Sequence, residues 1–369
     1  MFSIRIVKTL EEFGALSERW NDLLRQCASD NIFLTWEWLF TWAKHYLGEN
    51  QLWIILVYKG NNQLVGIAPF YIQRVTKYAI GRFREMKFLG TEEVSSLYLD
   101  IIVPKKYKKE TLSQVYRHLH GDASTLWDIL TLSEVPAESL TLERLCGLIH
   151  EDGKVLEITG MTGCPVIKLS SRLDDFMQGI SRNERYNLHR KQKRLEQAGH
   201  VTYDWASSIQ DVEKRMEEFI SLHQMRWNQK GNGGAFGRQR FMSFHREVAR
   251  VFAEKGWVRL DFLLLDGEPL AGIYGYSYNG RYSFYLPGFN PAILPQASPG
   301  ILLLFHCIKE AIREGNKIFD LLRGTTDYKM AWASGLRRSL TLQHYNQHVR
   351  STVAWLLESG KTAVKVLVR

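Results

Sequence analysis

A carboxylate and a guanidinium three residues apart, Asp320 and Arg323, stand at the end of a short apolar run, residues 317–322. Open α/β sheets place ligands at such strand ends, so Asp320 there could take a proton or hold an amine, with Arg323 orienting it or meeting an acidic group. The same two residues could instead clamp a loop as an ion pair. Tyr328 and Lys329 follow, a phenol able to give up a proton and an ammonium able to meet a phosphate or a substrate group; packing and plain surface charge are their alternatives. Tyr285 is the reserve phenol. Upstream, Ser298, Pro299 and Gly300 open an apolar run over 301–312. Serine caps helices, proline suits the first turn and glycine admits a ligand close to the backbone, so the unpaired first-turn amides would form an anion site. Arg182 and Arg185, at helical spacing i and i+3, could grip a phosphate or carboxylate together, or lie on an ordinary surface helix.

These residues need a scaffold, and the stretch from 257 to 324 supplies one. Three runs rich in Val, Leu, Ile, Tyr and Phe are separated by Asp266-Gly267 and Asn279-Gly280, pairs that accept the positive φ of tight hairpin turns. That predicts a three-stranded antiparallel meander. A Pro/Gly segment over 287–300 follows, then a helix of about four turns closed by Gly315, then a buried strand over 317–322. Further back, Ser181 and Glu184 form a capping box for a strongly basic helix that ends at Gly199, and 209–227 reads as another helix. The glycine-rich loop 228–236 follows a helix and lacks a Gly-Lys-Ser/Thr ending, so it is a connector or a lid and not a nucleotide phosphate loop.

The first half has a similar rhythm. A hairpin over 52–72 contains Leu64-Val65-Gly66-Ile67, and the later meander contains Leu270-Ala271-Gly272-Ile273 at nearly the same place after its turn. Strands are expected at 3–7, 86–89, 97–103, 125–132 and 155–159, and helices at 10–27, after Thr35, at 107–120 and at 140–150. Trp38 and Trp42, at helical spacing, read as core. With 369 residues, two domains are expected, 1–163 and 164–369. The fold class is mixed α/β (α+β), two similar lobes with largely antiparallel sheets flanked by helices.

Hydrophobic content of 45% with 24% charged residues excludes a disordered or fibrous chain. The formal net charge of +9 favours an acidic partner such as a cofactor phosphate, RNA, an anionic lipid surface or an acidic polymer. The four cysteines have no metal or redox spacing, His118 and His120 would face different ways on a helix, and His344 and His348 have no third ligand nearby, so no metal is expected. There is no signal-peptide core and no run long enough to span a bilayer, which leads to the expectation of a cytoplasmic protein.

The order meander, helix, strand resembles the central half of a GNAT-superfamily acyl-CoA N-acyltransferase. Phe33-Leu-Thr-Trp-Glu-Trp-Leu, Ser181-Arg-Asn-Glu-Arg-Tyr-Asn-Leu-His-Arg, Leu222-His-Gln-Met-Arg-Trp and Phe319-Asp-Leu-Leu-Arg-Gly-Thr-Thr-Asp-Tyr-Lys narrow it. The chain looks like the bacterial double-lobed acetyltransferases associated with cellulose and exopolysaccharide biosynthesis, relatives of the Fem peptidyltransferases. The resemblance implies two GNAT-like lobes and transfer from acetyl-CoA or another acyl-CoA to an amine, such as an amino sugar or an envelope or polysaccharide precursor. It also implies a pyrophosphate at Ser298, Pro299 and Gly300, with polysaccharide-synthesis machinery as a partner. In that chemistry Asp320 is the base or holds the amine, Tyr328 or Tyr285 is the acid near the leaving thiolate, and Arg323, Lys329, Arg182 and Arg185 contact substrate. The family's pyrophosphate piece runs Gln or Arg, two residues, Gly, one residue, Gly or Ala; here it is Gln296-Ala-Ser-Pro-Gly300-Ile, and Thr325 stands where an acidic residue usually follows Arg-Gly. The altered piece and the basic charge suit the alternative of a Fem-like transferase using aminoacyl-tRNA; a second alternative is a non-catalytic accessory of a polysaccharide synthase.

Overall fold

The computed structural model describes residues 1–369 except 78–80, 207, 229, 230, 232, 349, 350, 354 and 357–369. The glycine-rich loop 228–236 therefore lies partly outside the described residues. Contacts divide the chain into two units: residues 1–162 with the segment from Arg338 onward, and Gly163–Arg337.

The first unit runs β1 (Phe2–Val7), α1 (Leu10–Gly14), α2 (Ser17–Leu24), α3 (Trp36–Tyr46), β2 (Gln51–Lys59), β3 (Gln63–Lys77), β4 (Gly81–Phe88), α4 (Lys108–His120), β5 (Ile129–Pro136) and α5 (Leu140–Glu151). β6 (Leu156–Lys168) carries the chain over the boundary. The second unit continues with α6 (Leu173–Gly179), α7 (Arg182–Glu196), β7 (Val201–Trp205), α8 (Ile209–Asn228), α9 (Gln239–Glu254), β8 (Val258–Leu265), β9 (Glu268–Tyr278), β10 (Arg281–Phe289), α10 (Pro299–Arg313), β11 (Ile318–Asp320) and α11 (Asp327–Trp332). β12 (Gly335–Tyr345) closes the strand set.

The local expectations rest on chemistry that the fold uses. Asp266, Gly267, Asn279 and Gly280 all have positive φ, at 51°, 86°, 47° and 69°, as the meander turns demand. Thr35 Oγ1 accepts from the Trp38 amide and Ser181 Oγ from the Glu184 amide, the two predicted caps. Trp38 and Trp42 are fully buried. Two local readings are corrected. The helix expected over 10–27 breaks at Ala15 and Leu16 into α1 and α2. Residues 97–103 form no strand and make only the isolated bridge Ile67↔Ile102, because Tyr98 takes a positive φ and the Leu99 amide bonds instead to the Glu134 carbonyl.

The two units repeat one pairing scheme. In the first, β1, β2, β3 and β4 pair antiparallel in succession, β4 pairs β5 parallel, and β5 pairs β12 antiparallel. In the second, β7, β8, β9 and β10 pair antiparallel, β10 pairs β11 parallel, and β11 pairs β6 antiparallel. The sixth strand of the first unit thus comes from the C-terminal segment. Ser339 to Tyr345, placed with the second lobe on sequence, belong to the first, because they pair with Pro136 to Ile129.

The echoed glycines sit at matching places. A Cβ on Gly66 would lie 2.3 Å from Thr111 of α4, and one on Gly272 would lie 3.2 Å from Phe219 of α8. Both mark where a helix presses onto the third strand of its unit. The core of the second unit gathers Ala271, Ile273, Phe284 and Phe319 from the sheet with Leu303, Cys307 and Ile308 of α10. This apolar run holds α10 fixed, and with it the residues at its start.

Candidate functional site

In the second unit β10 and β11 stay paired for only three residues, Arg281↔Ile318, Tyr282↔Phe319 and Ser283↔Asp320. A bulge between Phe284 and Leu286 then turns β10, which goes on paired with β9 as far as Phe289↔Ala271. The chain after Asp320 leaves the sheet through a left-handed Leu322 (φ 54°) and Gly324 (φ 102°). The two strands therefore part, and a cavity of about 660 Å³ opens where they do. Its lining includes Pro287 and Phe289 of β10, residues 298–301 at the start of α10, Tyr328 of α11 and Arg226 of α8.

The predicted anion site and the candidate acid are thus brought together. Ser298 takes the N-cap position of α10 in a left-handed conformation (φ 49°), without a side-chain cap bond; Pro299 has no N–H and the Ile301 and Leu302 amides donate to the Ser298 carbonyl, so the Gly300 amide is the first-turn donor left to a ligand or to water. A Cβ on Gly300 would meet only Phe289 Cδ1 at 3.8 Å, so this position is open toward the cavity. Burial raises the Tyr328 phenol, with Arg226 acting against it, so the group stays protonated at neutral pH.

The other predicted residues are placed elsewhere. Asp320 has no solvent exposure; its Oδ2 accepts from Arg281 Nη1 at 2.7 Å and its Oδ1 from the Leu322 amide at 2.9 Å. It does not line the cavity, and it makes an ion pair with Arg281 of β10. Lys329 is buried and donates to the Leu321 and Arg323 carbonyls at 2.6 and 2.7 Å, which pins the turn after β11; burial pulls it down to about 8. Arg323 is exposed. Tyr285 meets His245 Nε2 at 3.2 Å in an aromatic layer with Tyr274 and Tyr276, and it is not among the cavity's lining residues. Arg185 donates to the Met177 and Ile180 carbonyls at 2.7 and 2.8 Å, where it caps the C-terminal end of α6, while Arg182 is exposed at the start of α7. The structure does not join these two arginines into one grip.

Arg226 is the residue that sequence reasoning left out. Its helix reaches the site because Gly288 allows it: a Cβ there would lie 2.7 Å from the His223 amide nitrogen and 3.0 Å from the Leu222 carbonyl carbon. Gly288 pairs with Gly272 across the sheet, and the two form a shallow trough in which α8 lies. One turn past this contact, Arg226 donates Nη1 to the Pro287 carbonyl at 3.3 Å and packs 5.0 Å from the Phe289 ring centre. Its Nε is buried and has no partner. Burial pulls its pKa below the ordinary value, Tyr328 opposing, so an anion in the cavity would relieve a desolvated cation. A signal existed: Phe219, Leu222 and Arg226 fall at i, i+3 and i+7, which places a guanidinium on the apolar stripe of α8.

The lining therefore offers one guanidinium, the Gly300 amide at the start of α10 and a protonated phenol against otherwise apolar walls. Among the described residues no carboxylate and no imidazole lines it, and no group of three or more His, Cys, Asp or Glu side chains is placed to hold a metal. The arrangement can bind an anionic or thioester-bearing ligand and donate a proton to a leaving group.

Residues 182–330 match the family model described as an acetyltransferase (GNAT) domain. The match lies within the second unit, from α7 to α11. The fold is similar to the crystal structure of FemX over 93% of this chain and 97% of that one, at 12% identity and a TM-score of 0.62. It is also similar to L-PGS from Bacillus licheniformis, over 92% and 95% at 12% identity and a TM-score of 0.53. The C-terminal domain of a putative lysylphosphatidylglycerol synthetase from Agrobacterium fabrum matches over 95% and 96% at 11% identity and a TM-score of 0.52. At these identities the likeness is one of fold. No sequence among curated proteins matches the chain. The domain match gives the reaction class: the chain is an acyltransferase. No helix among the described residues is long and apolar enough to cross a membrane.

Proposed function

We propose that the cavity between β10 and β11 binds an acyl-CoA and that the acyl group passes to an amine of an amino sugar or an envelope or polysaccharide precursor. The observation that carries this reading is the convergence of residues 298–301, Arg226 and Tyr328 on one cavity. The pyrophosphate would lie against the start of α10, accepting from the Gly300 amide where the helix dipole favours negative charge, with Arg226 as the counter-ion. The apolar walls would take the pantetheine arm.

The amine attacks the thioester carbonyl, the carbon–sulfur bond breaks, and the thiolate leaves. Tyr328 gives its proton to that sulfur. With no carboxylate or imidazole on the cavity wall, the amine enters as the free base and its proton leaves to solvent. Asp320 acts as a positioning residue, holding with Arg281 the turn that carries Tyr328.

A second reading, an aminoacyl-tRNA donor, is favoured by one feature. The basic helix α7 packs beside the cavity entrance, with Arg194 Nη1 3.4 Å from the Gln296 carbonyl, so a polyanion would find cations there.

Thermal-shift and calorimetric titrations with coenzyme A, acetyl-CoA and longer acyl-CoAs test the reading, because a ligand of the native state raises the melting temperature. Saturable binding is expected, and it should be lost in Gly300→Trp, whose side chain projects into the open position. No binding of any coenzyme A species, with salt-sensitive binding of tRNA, would favour the second reading.

A further inference from the structure

A second cavity, of about 430 Å³, lies at the opposite end of α10 from the first. The helix has 15 residues, so the two sites are about 20 Å apart. This cavity belongs to the edge of the second unit's sheet, where β7 stops at Trp205 and leaves the start of β8 uncovered. Three features define its wall. Trp205 is 50% exposed, an unusual state for an indole on a strand. Two ion pairs line it, Arg259 with Glu314 at 3.0 Å and Arg313 with Glu310. At its base Asp261 is buried, with Oδ2 accepting from Tyr282 at 2.7 Å.

The chemistry of this wall selects a class of ligand. Four of its charges are matched in two ion pairs and the fifth, the Asp261 carboxylate, is buried against the Tyr282 hydroxyl, so it offers no strong field for a phosphate. It offers instead alternating guanidinium donors and carboxylate acceptors, each with hydrogen-bonding capacity left over. Hydroxyl groups donate and accept at once and suit such a lining. The indole supplies a flat apolar face for a ring whose C–H bonds point to one side. A sugar ring has both properties, and the volume falls within the range of small-ligand sites.

We propose that this cavity is a saccharide-binding subsite, separate from the acyl-donor cavity, in which a sugar ring stacks on Trp205 and its hydroxyls bond to Arg259, Glu310 and Glu314. It stands whether or not the donor is an acyl-CoA, since it shares no lining residue with the first cavity.

The test follows the Trp205 indole N–H resonance of the full ¹⁵N-labelled chain, assigned by Trp205→Phe, during additions of cellotriose, maltotriose and chitotriose. Tetramethylammonium chloride and potassium phosphate serve as charged probes. The expected result is a saturable shift with at least one trisaccharide, none with either salt, and at least tenfold weaker binding in Trp205→Ala and in Glu314→Gln. Glu314→Gln leaves β7 untouched, although it weakens the ion pair to Arg259 of β8, and it decides the matter if Trp205→Ala proves unstable. The proposal is overturned if no trisaccharide shifts the resonance, if a charged probe saturates the site instead, or if Glu314→Gln binds as tightly as the native chain.

Discussion

Arg281 and Asp320 meet at 2.7 Å across the one parallel strand pair of the second unit, at the last residue before β10 and β11 separate. The carboxylate has no exposure and the guanidinium side chain 23%. Asp320 stands opposite Ser283 as the last paired residue of β11, and the sheet opens beyond it. Removing the carboxylate takes away the partner of both Arg281 and the Leu322 amide. Asp320→Ala should lower the unfolding free energy by about 3 kcal/mol in urea titrations. An unchanged midpoint would show that the turn is held by Lys329 alone.

The glycine at 288 should be intolerant of any side chain. In Gly288→Ala the new methyl would stand 2.7 Å from a backbone nitrogen of α8, so the helix must shift. A loss of about 1–3 kcal/mol is expected, together with weaker donor binding, because Arg226 moves with the helix. Calorimetry on the folded variant measures both.

Arg226→Met should separate binding from stability. The substitution removes the cavity's cation but also a guanidinium whose Nε is buried without a partner. Donor affinity should fall about 10- to 100-fold, as expected for the loss of one charge-assisted contact. The melting temperature should stay level or rise. Arg226→Lys should restore part of the affinity.

Tyr328→Phe should reduce kcat by about 100-fold with little change in KM, the pattern for a group that acts only on the leaving thiolate. Steady-state kinetics with an acyl-CoA and an amine acceptor decide it. A rise in KM at constant kcat would make Tyr328 a binding residue.

Acid should unfold the protein through its buried histidines. Burial pulls His223 down to about 4, and its Nε2 accepts from Trp227 Nε1 at 3.1 Å, a bond that needs the neutral ring. An unfolded histidine titrates near 6.5, so between about 6.5 and 4 the unfolded chain binds the extra proton. Stability should therefore fall with falling pH across that window, by up to about 1.4 kcal/mol per pH unit for each such group. His120 and His306, also lowered to about 4, add to the slope. The slope should be shallower in His223→Gln, measured by thermal unfolding from pH 7 to 4.

Much of this architecture is written in local chemistry. The Asp-Gly and Asn-Gly turns, the Thr35 and Ser181 caps and the apolar run of α10 depend on residues within a few positions of each other, so their sequence signals are complete. The same holds for the start of α10, where Ser298, Pro299 and Gly300 are consecutive. Asp320 shows where such reading stops. Its sequence neighbour Arg323 is the obvious partner, but strand register brings Arg281 to it, 39 positions away. Tyr285 and Lys329 followed the same course: each has a catalytic side-chain type, and each is turned by packing toward a carbonyl or an imidazole away from the cavity.

The sequence alone determined the elements, their order, the echo between two lobes and the helix start that faces the cavity, because turns, caps and periodicity act over one or two turns of chain. The tertiary structure decided which strand completes each sheet, which cation serves the cavity and which carboxylate is withdrawn from it. Those outcomes depend on pairing between residues far apart in the chain, as when β12 joins β5 and α8 settles on Gly272 and Gly288. Such pairing is set by the summed packing of whole elements, and no short stretch of sequence records it.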